Sequence, residues 1–172
     1  NCPVGRIDYL GKAWWNWTVN DLGERKPIPS GDGHTTGMTT PVKWDVQTSL
    51  KPCPCGQKVQ VQGDAVVEYW YSGFSSWVHE YKHVHIFDKA WSDTEWAVFP
   101  YTTQCVSLPK AQCYRNLITI IRNYYIARAE VENISFDYAE YGGGPNPPNI
   151  LEAILDEMVW ATRMGQMEDQ CN

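Results

Sequence analysis

The sequence predicts a single α+β domain in which a small N-terminal antiparallel sheet is followed by three helices. Up to residue 71, apolar residues alternate with polar ones, as they do in half-buried strands. From about residue 75 onward they recur at steps of three and four, which is the period of a helix. A chain of 172 residues is also an ordinary length for one domain, so we treat residues 1–172 as one unit.

Strands are expected at four places in the N-terminal half. A Trp-rich segment at 13–17 is the first and residues 42–46 are the second. Residues 58–62 and 65–71 are predicted to form a hairpin around a turn at Gly63-Asp64. The stretch 26–33 contains two prolines and two glycines, so we expect it to be an exposed loop.

The C-terminal half is expected to hold the three helices. The first is predicted over 77–91, capped by Ser75 or Ser76, and followed by a connection at 92–108 with strand character at 96–99. The second begins near Pro109 and must end at the glycines and proline of 142–145. The third is predicted over 150–164, behind a start at Asn149 and Glu152 that resembles a capping box.

Charge and hydropathy argue against two classes of protein. The formal net charge is −6, and the 14 lysines and arginines are scattered, whereas nucleic-acid binding needs them clustered. No apolar run approaches the roughly 18 residues of a membrane span. We therefore expect no binding to nucleic acid and no membrane span. We also expect the protein to be a monomer.

The cysteines and two glycosylation sequons predict a compartment. The number of cysteines is even, at six, and sequons begin at Asn16 and Asn133. The chain begins without Met, as a processed secreted protein would. We predict a secreted glycoprotein with three disulfides, for which the candidate pairs are Cys105–Cys113 and Cys2–Cys171.

Residues 79–83 carry the pattern H-E-x-x-H, which is the most informative feature of the sequence. On a helix, His79 and His83 lie one turn apart on one face, so both imidazoles can bind one zinc ion. Glu80 is not needed as a ligand and can act as a general base on a water molecule. His85 points away from this face, and we expect it outside the ligand set.

A catalytic zinc site needs a third protein ligand. The chain has no histidine after His85, so this ligand must be a carboxylate, a tyrosine or His34. The helix that follows offers five such residues near its end, which are Glu130, Glu132, Asp137, Glu140 and Tyr141.

The segment 135–142, S-F-D-Y-A-E-Y-G, resembles the aspzincin (deuterolysin-type) signature G-T-x-D-x-x-Y-G, with one more residue between the Asp and the Tyr. The same tail is similar to a family of predicted secreted zinc-dependent proteases, in which an H-E-x-x-H helix and a long helix precede a Tyr-Asp motif. Both resemblances cover roughly residues 75–142. They imply Asp137 as the third zinc ligand, ahead of Tyr141 and Glu140, and Tyr141 as a residue that helps to stabilise the transition state.

Together these features predict a secreted zinc endopeptidase that acts on a peptide or protein substrate. The strand at 66–71 is expected to be the sheet edge on which an extended peptide binds. The aromatic residues at 70, 71, 74 and 77 are expected to pack in the core rather than to line an apolar pocket. Two alternatives stay open. One is a catalytically inactive zincin-fold zinc-binding protein or effector, and the other is a secreted Trp-rich module that binds carbohydrate or protein.

Overall fold

The structure, a computed structural model, describes residues 14–30, 33–140 and 148–172 and has the predicted α+β architecture. The elements, in chain order, are β1 (Trp14–Glu24), β2 (Ile28–Ser30), β3 (Gly33–Thr35), β4 (Gly37–Cys53), β5 (Gly56–Tyr71), α1 (Phe74–Thr102), β6 (Cys105–Val106), α2 (Leu108–Glu140) and α3 (Pro148–Cys171). Within the described residues, no helix is both long and apolar enough to cross a membrane.

The main sheet is mixed rather than antiparallel. Its strands lie in the order β1-β5-β4, in which β1 runs parallel and β4 antiparallel to β5, and β6 pairs with the start of β5. The prediction that residues 66–71 form the edge is therefore wrong, because these residues hydrogen-bond to a strand on each side. In the described part of the chain the outer strands are β1 and β4. The predicted loop at 26–33 contains β2, which pairs with β3.

Gly63 lies inside β5 and does not form a turn. A Cβ at this position would lie 2.4 Å from the ring of Trp15, so the glycine makes room for that side chain. The Trp15 ring in turn stacks on Trp91 of α1, with centroids 4.5 Å apart. The β4–β5 hairpin turns instead between Cys53 and Gly56, which are paired across the ladder.

The first helix is longer than predicted at both ends. It begins at Phe74, directly after Gly73 at the N-cap, and neither Ser75 nor Ser76 caps it through its side chain. It also continues through 96–99, where we expected strand character. The buried residues Thr94 and Val98 keep the spacing of four that defines the inner face of the helix, and packing on that face outweighs the local β propensity.

The second helix has the predicted extent, and the third continues to Cys171. The sulfur of Cys171 is bonded to Cys113 in the first turns of α2, and Cys53 is bonded to Cys105. Both candidate pairs are therefore wrong, since α3 returns antiparallel to the start of α2 and β6 lies beside the hairpin turn. Cys55 is also disulfide-bonded, and Cys2 lies outside the described residues.

Tryptophans form the centre of the core. Trp44 lies edge-on to Trp91 with centroids 5.1 Å apart, and Trp70 and Trp91 are each 2% exposed. Core packing is thus confirmed for Trp70. It is wrong for Phe74, which is 78% exposed and stacks on Trp77 at the start of α1.

Candidate metal centre

Two histidines of α1 face the end of α2. His79 and His83 are each 7% exposed, because the helical period places both on the side of α1 that packs on α2. Asp137 lies three residues before the end of α2 and points into the same space. Helices that are distant in sequence therefore supply the three side chains.

The three ligand atoms form a nearly equilateral triangle. The Nε2 atoms of His79 and His83 are 3.0 Å apart, and Oδ1 of Asp137 lies 3.0 Å from the first and 2.9 Å from the second. Tetrahedral zinc with bonds of about 2.0–2.1 Å keeps its ligand atoms about 3.3 Å apart. The three atoms therefore need to separate by only a few tenths of an ångström to bind such an ion.

The outer nitrogen of each ring has its own acceptor. Nδ1 of His79 lies 2.8 Å from Oε2 of Glu140. A carboxylate oxygen can only accept a hydrogen bond, so the ring nitrogen is the donor. Nδ1 of His83 lies 2.5 Å from Oδ1 of Asn133, and the amide nitrogen of Asn133 donates to the carbonyl of Ala129. These partners place the proton of each neutral imidazole on Nδ1 and leave a lone pair on Nε2.

Three lone pairs then converge on one point, and electrostatics favours a positive charge there. Burial alone would lower the pKa of His83, but its hydrogen bonds to Asp137 and Asn133 raise it overall. Burial alone would raise the pKa of Asp137, but the two imidazoles lower it. Two imidazole nitrogens and a carboxylate oxygen are donors typical of zinc and other transition metals. The residues therefore fit a metal ion.

Glu80 lies beside this group but is held by β4. The residue is 5% exposed, and Thr39 Oγ1 donates to its Oε2 at 2.7 Å. A Cβ at Gly37 would lie 2.3 Å from its Oε1, so the carboxylate touches the backbone of β4. Burial raises the pKa of Glu80, and the hydrogen bond from Thr39 opposes that shift. Glu80 is thus held against β4 and outside the ligand triangle, but near enough for His79, His83 and Asp137 to influence its pKa.

The other candidate ligands occupy different places. Glu140 hydrogen-bonds His79 from behind rather than joining the triangle. His85 is exposed and lies edge-on to Tyr81. Tyr141 and the side chain of His34 lie outside what the structure describes.

Sequence reasoning missed the supporting residues. The sequence predicts no role for Asn133 at the site, yet this residue lies four residues before Asp137 and therefore on the same face of α2. That spacing indicates from the sequence alone that Asn133 lies beside the ligand Asp137 on α2. Thr39 and Gly37 gave none, because their contact with Glu80 depends on how β4 packs against α1.

Comparison with protein-family models, with characterised proteins and with solved structures found no match to this chain. Its function is therefore inferred from the geometry of its own residues.

Proposed function

We propose that this chain is a secreted zinc-dependent endopeptidase. The observation that carries the proposal is the convergence of His79 Nε2, His83 Nε2 and Asp137 Oδ1 within 3.0 Å of one another. The buried carboxylate of Glu80 interacts electrostatically with all three of these residues. Three protein ligands leave a fourth position open, which is typical of catalytic zinc and not of structural zinc.

Each residue has a role in peptide hydrolysis. Zinc, when bound, lowers the pKa of a coordinated water towards about 7 and polarises a carbonyl group. Glu80 takes the proton from the attacking water and delivers it to the leaving amine, while Thr39 orients its carboxylate. Tyr141 is proposed to donate a hydrogen bond to the oxyanion that develops on the scissile carbonyl.

The position of β4 supports a peptide as the substrate. Among the described residues β4 is an outer strand of the sheet, and its segment 37–39 touches Glu80. An extended peptide that pairs with this edge would pass the general base with its backbone aligned. We therefore propose that the substrate peptide pairs with β4 and not with the strand at 66–71.

The disulfides support an extracellular location. Cys53–Cys105 and Cys113–Cys171 join segments that are 52 and 58 residues apart, and such bonds persist in oxidising compartments. The N-terminal tryptophan Trp15 gives no support to a Trp-rich binding module, because it stacks on Trp91, which in turn packs against Trp44 in the core.

The test compares the full chain with its Glu80→Gln variant. Zinc content is measured by elemental analysis, and hydrolysis is measured on casein. We expect one zinc ion in each protein and hydrolysis by the wild type alone, since the amide cannot take a proton. Zinc without hydrolysis in the wild type would indicate an inactive zinc-binding protein. A wild-type chain that binds no zinc would overturn the proposal entirely.

A further inference from the structure

We infer that Asn133 is a positioning residue for the ligand His83 and not a glycan acceptor, although it begins a sequon. This inference rests on the metal site of the proposed function, but it does not depend on peptidase activity. Asn133 lies on α2 and contacts His83, but it does not belong to the ligand triangle.

Both ends of the Asn133 amide are already occupied. The carbonyl oxygen accepts from His83 Nδ1, and the amide nitrogen donates to the carbonyl of Ala129 at 2.7 Å. N-linked glycans attach to that same nitrogen. Here it lies within the 33-residue helix α2, partly buried against α1. A sugar would replace one of the two hydrogens on that nitrogen, and it would have to fit beside the bond to Ala129 on this partly buried face.

The other sequon lies in a contrasting environment. Asn16 and Thr18 are both exposed on the outer strand β1. If the chain is secreted through a glycosylating pathway, a glycan is therefore expected on Asn16 and not on Asn133.

The hydrogen bond from His83 controls which ring nitrogen carries the proton. A carbonyl oxygen can only accept, so it retains the proton on Nδ1 and leaves the Nε2 lone pair for a cation. Without this acceptor the proton can move to Nε2, which lies 2.9 Å from Oδ1 of Asp137. Nε2 would then donate a hydrogen bond to Oδ1, and two of the three ligand atoms would no longer be available to a cation.

The sequon itself provides a matched control. Ser135 is exposed, so Ser135→Ala abolishes the sequon and leaves the Asn133 amide unchanged. Asn133→Ala abolishes both the sequon and the acceptor. Asn133→Asp abolishes the sequon and keeps an acceptor for His83, so it separates loss of the hydrogen bond from general damage to α2.

Zinc affinity is measured for all four proteins by competition with a chromophoric chelator, and the fold of each is checked by circular dichroism. We expect Ser135→Ala to bind as the wild type does and Asn133→Ala to bind about 10–100-fold more weakly. Asn133→Asp should recover most of the lost affinity. Long-range ¹⁵N NMR on the zinc-loaded wild type should show the His83 proton on Nδ1.

Several results would overturn the inference. Wild-type affinity in Asn133→Ala would show that the acceptor does not matter. Equal weakening in Ser135→Ala and Asn133→Ala, or a glycan found on Asn133 in protein secreted by eukaryotic cells, would show that the sequon itself is used. A wild-type chain without zinc affinity would remove the proposed function as well, and the wild-type titration alone reveals that case.

Discussion

Substitution of Gly37 by alanine is expected to impair catalysis while leaving metal binding intact. The added Cβ would lie 2.3 Å from Oε1 and 2.7 Å from Cγ of Glu80. Non-bonded carbon atoms pack at about 3.5–4.0 Å, so the side chain must retreat by about 1 Å. Thr39 holds the other carboxylate oxygen at 2.7 Å and opposes that movement. A displacement of about 1 Å at a general base can cost on the order of 100-fold in rate.

The assay measures kcat/KM on a fluorogenic peptide together with zinc affinity. The backbone of Gly37 does not have the positive φ that favours glycine, so alanine strains only the contact with Glu80. Gly165→Ala is the matched control, because a Cβ there has nothing within 4 Å. Unchanged kcat/KM in Gly37→Ala would refute the assignment of Glu80 as the base. A large loss of zinc affinity would refute the separation of Glu80 from the ligand set.

Three further outcomes are expected. Asp137→Asn should weaken zinc binding, measured by chelator competition, by more than the roughly 10–100-fold typical of residues that only support ligands. Zinc affinity in the wild type should fall as the pH is lowered, because protons compete with the metal for His83. The raised pKa of His83 means that this loss begins at a higher pH than for an ordinary imidazole. Zinc titrations between about pH 8 and 5 measure the effect. Gly63→Ala should lower the free energy of unfolding by about 1–3 kcal/mol, since its Cβ meets the Trp15 ring. Gly165→Ala should raise it by roughly 0.5–1 kcal/mol, because Gly165 lies within α3 and alanine favours a helix. Thermal denaturation compares the two variants.

Short-range periodicity accounts for the part of the site that lies on one helix. His79 and His83 share a face because a helix repeats every 3.6 residues, and no tertiary knowledge is needed to see it. Asp137, 54 residues further on, is singled out among the candidate ligands only by the resemblance. Periodicity can place it on a face of α2 but cannot show which face meets α1. That choice depends on the packing of Val84 and Phe87 against Ala129 in the buried cluster between the helices and the sheet.

The errors in the fold have the same origin. Gly63-Asp64 has the composition of a turn, but the strand continues because Trp15 of β1 fills the space above Gly63. Residues 96–99 have β propensity, but they are helical because Val98 continues the buried face of α1. In both places a contact between distant segments outweighs a local preference worth at most about 1 kcal/mol.

Covalent cross-links and the candidate metal centre lie at opposite ends of α2. Cys113, bonded to Cys171, lies 24 residues before Asp137 in this helix, which at 1.5 Å per residue is about 36 Å. The disulfide therefore cannot hold Asp137 against α1. The far end of α2 relies on a small apolar cluster and on the hydrogen bonds that His79 makes to Glu140 and His83 makes to Asn133. A bound cation would join Asp137 to both histidines, so its binding free energy would also stabilise the packing of these two helices.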